Sequence, residues 1–233
     1  MNASKADEYR GAWQSALALA LQQALRGSRL AQTPYREPES GWHGTRWLLP
    51  RRDGAEALSA RCLGVLARAG LQLPENLARQ CLSHFRHQLA PGPLDDLGLA
   101  LAGFLGACWQ AQDQLALTRE RWAAITLWLE AWVIDTLPWD ESSLAERQAL
   151  FERLAVLTAA LGEWTLQASH EGRAAMDSAR WLARNSLQTV LGLELEPLCV
   201  RLRSLDVSTA VNPSVPGSEL GAAADRQMRG GTV

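Results

Sequence analysis

Lysine is almost missing from this chain. Lys5 is the only one among 23 basic residues, and the rest are arginine. That bias reads as the coding habit of a GC-rich bacterial genome. With a net charge of −2, the 233 residues have no general attraction for nucleic acid, which calls for a basic patch or stripe. Cysteine is scarce too: Cys62, Cys81, Cys108 and Cys199 are far apart. A secreted disulfide scaffold is short and cysteine-dense, so buried free thiols in a reducing cytoplasm are expected. No uninterrupted apolar run is long enough to span a bilayer, and no membrane insertion is expected. Ala16 to Leu21 is apolar but short, and Asp7 and Glu8 precede it where an export signal carries basic residues. Phosphate-binding glycine loops, flavin or nicotinamide fingerprints and triad signatures are also missing. The sequence therefore assigns no catalytic residue and no cofactor.

What the chain does contain is helix. Hydrophobic residues make up 47% and charged residues 21%, enough apolar material for a sizeable core. Strand-like alternation is never sustained. Apolar stripes at helical spacing recur instead: Trp13, Leu17, Leu21 and Leu25; Leu58, Cys62, Val65 and Ala69; Leu82, Phe85 and Leu89; Leu97, Leu101, Phe104 and Cys108; Leu150, Leu154, Leu157, Leu161 and Trp164; Met176, Ala179, Ala183 and Val190; Leu198, Leu202 and Leu205. Boundaries are written in cap chemistry. Ser143 to Glu146 matches a capping box, Thr118 is a plausible N-cap, and Gly70 and Gly192 are natural stops. Pro93-Leu94-Asp95-Asp96 predicts a helix start with both acids in the first turn, where the helix dipole favours them. The expected fold is all-α, a single-domain bundle of about seven to eight helices. Residues 1–31 hold an N-terminal amphipathic helix packed on the bundle, 32–52 an irregular loop, 53–205 the bundle itself and 206–233 a disordered tail.

Ten tryptophans are a heavy load for this length. Trp122, Trp128, Trp132, Trp164 and Trp181 fall in helical segments and are expected to be mostly core. Trp42 and Trp47 fall in the loop, with Arg46, Arg51 and Arg52 beside them. Tryptophan and arginine are enriched at binding hot spots, so these five residues are the candidate contacts for a partner. The competing reading is that the two indoles clamp the loop onto the bundle. Gly98, Ala102 and Gly106 form a line of small residues along one helix. Glycine inside a helix costs about 1 kcal/mol relative to alanine, and close approach of a neighbouring helix is the plain explanation. The sharper ones are a ligand groove lined with Trp122, Trp128 and Trp132, or a homodimer surface. Cys81, His84 and His87 are of zinc-ligand type on one helix, but no second cluster completes a site, so no metal is assigned. Asp95-Asp96 resembles half of a magnesium-binding carboxylate motif without its counterpart, and helix capping is preferred.

The run Pro93-Leu94-Asp95-Asp96-Leu97 with Ala100, Ala102, Phe104 and Leu105, together with Ala145-Glu146-Arg147-Gln148 followed by Glu152, Leu154 and Ala155, resembles an uncharacterised all-helical family of bacterial proteins. The resemblance covers roughly residues 70–200. It implies the helical fold and brings no activity or site residues with it. A complete helical scaffold without recognisable chemistry points to an interaction protein: an adaptor, accessory chaperone or immunity factor with one protein partner. A small-molecule sensor or enzyme with its site between the central helices is the alternative.

Overall fold

From Leu97 to Ala111 the chain is apolar on every side, and a helix with that pattern has to be surrounded. The computed structural model describes residues 12–26, 47–51, 58, 60–89, 92–132, 137, 139 and 142–210. Among these it has eight α-helices: α1 (Ala12–Arg26), α2 (Ala60–Arg68), α3 (Glu75–His84), α4 (Leu97–Asp113), α5 (Arg119–Trp132), α6 (Leu144–Glu171), α7 (Arg173–Leu191) and α8 (Leu195–Ala210). The all-α class is as the periodicity implied. Residues 1–11 of the N-terminal segment, most of the 32–52 loop and the tail from residue 211 lie outside the described residues. α8 runs on to Ala210, past residue 206 at which the tail was expected to begin.

α4 is the axis. Leu97, Leu101, Phe104 and Cys108 are completely buried, as are Ala100, Ala102, Leu105 and Ala111. α5, α6, α7 and α8 all pack on it, and its small residues let them come close. A Cβ built on Gly103 would lie 2.8 Å from the Trp122 ring and 3.1 Å from the Thr158 methyl. At Gly106 it would meet Leu117 at 2.7 Å. Close approach is thus the reason for these glycines.

The longest helix, α6, starts with the predicted capping box: Glu146 N–H donates to Ser143 Oγ at 3.2 Å, and Ser143 N–H to Glu146 Oε2 at 2.9 Å. It then turns back at Gly172 (φ 99°) into α7. Ala168, Met176 and Ala179 close that hairpin. α2 ends with Gly70 at φ 96°. There Leu71 N–H donates to Leu66 O at 2.9 Å, the six-to-one bond of a Schellman cap.

One element departs from expectation. Leu94–Asp96 is not the first turn of a helix but a short strand, β2, paired antiparallel with β1 (Leu48–Pro50) in the register Leu49↔Asp95. The helix waits until Leu97, and Asp96 alone caps it by accepting Leu99 N–H at 2.9 Å. Pairing with Leu48–Pro50 thus holds Leu94–Asp96 extended where a capped helix start was expected. Upstream of it, α3 runs on into one π-helical turn, Phe85–Leu89.

Two predictions follow from the packing. Gly162 lies inside α6, and an added Cβ would meet nothing within 4 Å. Gly162→Ala is expected to stabilise by about 1 kcal/mol, raising the melting temperature by roughly 2–4 °C, whereas Gly103→Ala is expected to lower it. Equal shifts of one sign in a thermal scan would contradict this. Separately, Arg203 on α8 donates to both carboxylate oxygens of Asp113 at the end of α4, by Nε at 2.6 Å to Oδ2. These bonds, helped by Trp109 Nε1 at 2.7 Å, hold the Asp113 carboxyl below its usual range. A depressed carboxyl stabilises the fold above its ordinary titration range and loses that contribution as pH falls through and below it. Arg203→Gln should therefore lower stability at neutral pH and flatten the acid limb of a stability–pH curve, the two curves converging at low pH where the contribution is already lost.

Candidate functional site

The residues singled out for partner contact separate in the structure. Trp42, Arg46 and Arg52 lie outside the described residues. Trp47 is 2% exposed: its ring covers Gly98 at 3.1 Å from a built Cβ and meets Trp139 edge-on at 4.8 Å. Trp13 of α1 completes this group, 5.8 Å from Trp139. Trp47 is a clamp, and its ring is not a free surface. The Gly98, Ala102 and Gly106 line is filled from within, Gly98 by Trp47 and Gly106 by Leu117, with Ala102 fully buried. Trp122 rests on Gly103 and donates to Leu99 O at 3.3 Å, and Trp128 is 5% exposed. Trp132 belongs to α5 by its backbone, and its side chain lies outside the described residues.

Arg51 leads to a feature that sequence spacing did not show. The pleat of β2 turns Asp95 inward opposite Leu49, and its side chain has no exposed area. Arg86, from the π-helical turn, holds it with a fork: Nε to Oδ1 at 2.9 Å and Nη2 to Oδ2 at 2.6 Å. Gln148 of α6 donates to Oδ2 at 3.0 Å, and Arg51 Nε stands 3.5 Å from Oδ1. The Arg86 guanidinium also lies 5.6 Å from the Phe151 ring centroid. Four segments meet on one carboxylate, those of Arg51 and Gln148 from far along the chain. Each oxygen has its donor, so the cluster reads as a structural tie and not as a poised acid or base. The π-helical turn gave no sequence signal, and without it Arg86 has no obvious line to Asp95.

The thiols are quiet. Burial pushes Cys62 and Cys199 up to about 12 and raises Cys108 and Cys81 as well. None of the four is in a disulfide, and raised pKa values keep them protonated at neutral pH, which is the unreactive state. His84 and His87 are exposed, and His87 Nδ1 donates to Ser83 O at 2.7 Å. Among the described residues, no group of three or more His, Cys, Asp or Glu could hold a metal ion. No helix among them is long and apolar enough to cross a membrane.

The surface carries the informative departure. Trp164 and Trp181, expected in the core, are 43% and 58% exposed. Trp164 ends a stripe whose spacing drifts about 20° per heptad around a helix, and by that point it has left the buried side. Trp181 is two residues from both Ala179 and Ala183, which are buried; at 100° per residue that is the far side of α7. Since α6 and α7 run antiparallel from Gly172, the two indoles come to the same level of the hairpin. Trp181 is pinned: its ring carbons lie 2.7 and 2.9 Å from a Cβ built on Gly70. Beside it Asn185 Nδ2 donates to Arg68 O at 3.2 Å, and Ser186 Oγ to Ala69 O at 3.4 Å, so α7 side chains cap the end of α2.

Asp95→Ala strands two guanidiniums and an amide, and should destabilise by about 3–5 kcal/mol, the cost of breaking a buried pair. Arg51→Ala, at the half-open edge of the cluster, should cost far less. Urea denaturation of the two variants decides: similar losses would mean that Asp95 is not the centre of the tie.

No curated protein and no solved structure matches the chain. Residues 68–203 match the family described as "Family of unknown function (DUF6683)", a stretch that takes in the π-helical turn, the Asp95 strand, α4 and both exposed tryptophans. That match spans more than half of the 233 residues, and the chain belongs to this family of unknown function.

Proposed function

We propose that the protein is a bacterial cytoplasmic interaction protein, an adaptor, accessory chaperone or immunity factor, which binds one protein partner and performs no reaction of its own. The observation that most supports this is the placement of Trp164 and Trp181. Trp13, Trp47, Trp109, Trp128 and Trp139 are all at most 9% exposed, so the fold has room and means to bury indoles. Two left open at one level of a rigid hairpin are an apolar surface awaiting cover, and tryptophan is the residue most enriched among binding hot spots. Four cysteines without a disulfide among them fit a reducing compartment.

Capture of partners from the native host lysate by the full-length protein, read by mass spectrometry, tests the reading. One stoichiometric protein is expected, and it should be lost from a Trp164→Ala, Trp181→Ala double variant that melts like the parent. A bait that comes through clean would sink it.

A further inference from the structure

We infer that the outward face of α7, centred on Trp181 with the end of α2 beside it, docks an acidic segment of a partner protein. This rests on the interaction reading above and gives it a surface and a chemistry. Arg173, Asp177, Trp181, Arg184 and Gln188 recur along one stripe of α7, and all five are exposed. With Arg173, Arg180 and Arg184 against Asp177 alone, the helix carries a net charge of +2, in a chain whose total is −2. Arg173 and Arg184 share the exposed stripe with the indole, and Arg180 flanks it. Arg68 adds another guanidinium at the end of α2.

The acids nearby do not cancel this face. Arg180 meets Asp177 at 2.9 Å and Arg184 meets Glu196 of α8 at 2.7 Å. Both are open to water, where such pairs contribute little and exchange readily for better partners. Glu163 is close enough to Cys81 of α3 for its charge to help raise that thiol, and Glu171 accepts from Gln167 at 2.5 Å. Trp181 is also prepared for contact. Gly70 holds one side of the ring, and 58% of the residue remains open. An anchor already fixed in place loses little freedom on binding. An apolar side chain of the partner would cover the indole, and carboxylates on either side would meet Arg180 and Arg184. Nucleic acid is the less suitable occupant, since the chain is acidic overall and a single tryptophan-centred stripe is not a phosphate track.

The test is selection of phage-displayed random peptides on the full-length protein. Anisotropy titrations then compare the parent with Trp181→Ala and Arg184→Glu, both surface changes, at low and physiological salt. Enriched peptides should carry an excess of Asp and Glu around an apolar residue. Each variant should weaken them by about tenfold, the loss of one hot-spot contact, and added salt should weaken them further. Neutral or basic peptides, no enrichment, or acidic peptides that ignore both variants would overturn the assignment. Polyuridylate or anionic vesicles that bind the parent and release on Arg184→Glu, with no peptide selected, would overturn it too. A stoichiometric lysate partner held equally well by both variants would leave the interaction reading standing and remove this face from it.

Discussion

Everything else in the fold answers to the burial of α4. A helix with no polar stripe has no side to turn to water, so the chain must supply neighbours all round it, and α5, α6, α7 and α8 do so. Burial of apolar area at roughly 25 cal/mol per Å² makes this the dominant stabilising contribution. Close-packed interiors leave few voids, however, and the surrounding helices could not reach the axis past large side chains on every face. Gly103 and Gly106 admit Trp122 and Leu117 for that reason. Their helix-propensity cost of about 1 kcal/mol each is a consequence of the crowding.

The second constraint is polar and lies at the entrance to α4. Asp95 is buried without a helix dipole to hold it, and a buried carboxylate needs a full set of donors. Arg86 and Gln148 provide them, and Arg51 adds an ion pair, from three other segments. The β1–β2 ribbon is therefore fastened at its inner face by charge and, through Trp47 against Trp139, by aromatic contact. Arg51 and Trp47 precede the stretch shared with the family, yet both are needed to complete features that lie inside it.

The helices were largely legible in sequence because their signals are local. The stripe Leu97, Leu101, Phe104, Cys108, the Ser143–Glu146 box and the Gly192 stop depend on residues a few positions apart, and the structure places each as expected. What was not legible depends on distance. Asp95 looks like a cap beside Asp96, and only its pairing with Leu49 turns it inward. Trp47 looked like a surface anchor because Trp139 and Gly98, which receive it, are remote in sequence. The exposed tryptophans were the reverse case. Trp181 could have been placed outside by its phase against Ala179 and Ala183, had hydrophobicity not outweighed geometry.

The cysteines bring a last consequence. Cys108 has no exposed surface and touches only protein, its sulfur 3.8 Å from Ala183 O. An alkylating reagent reaches it only when α4, α7 and α8 part, because a protonated, enclosed thiol does not react in place. Cys81 is partly open and reacts sooner. The order and pace of thiol labelling thus form a built-in clock for opening of the core, in which the rate at Cys108 counts the moments when the central helix is laid bare.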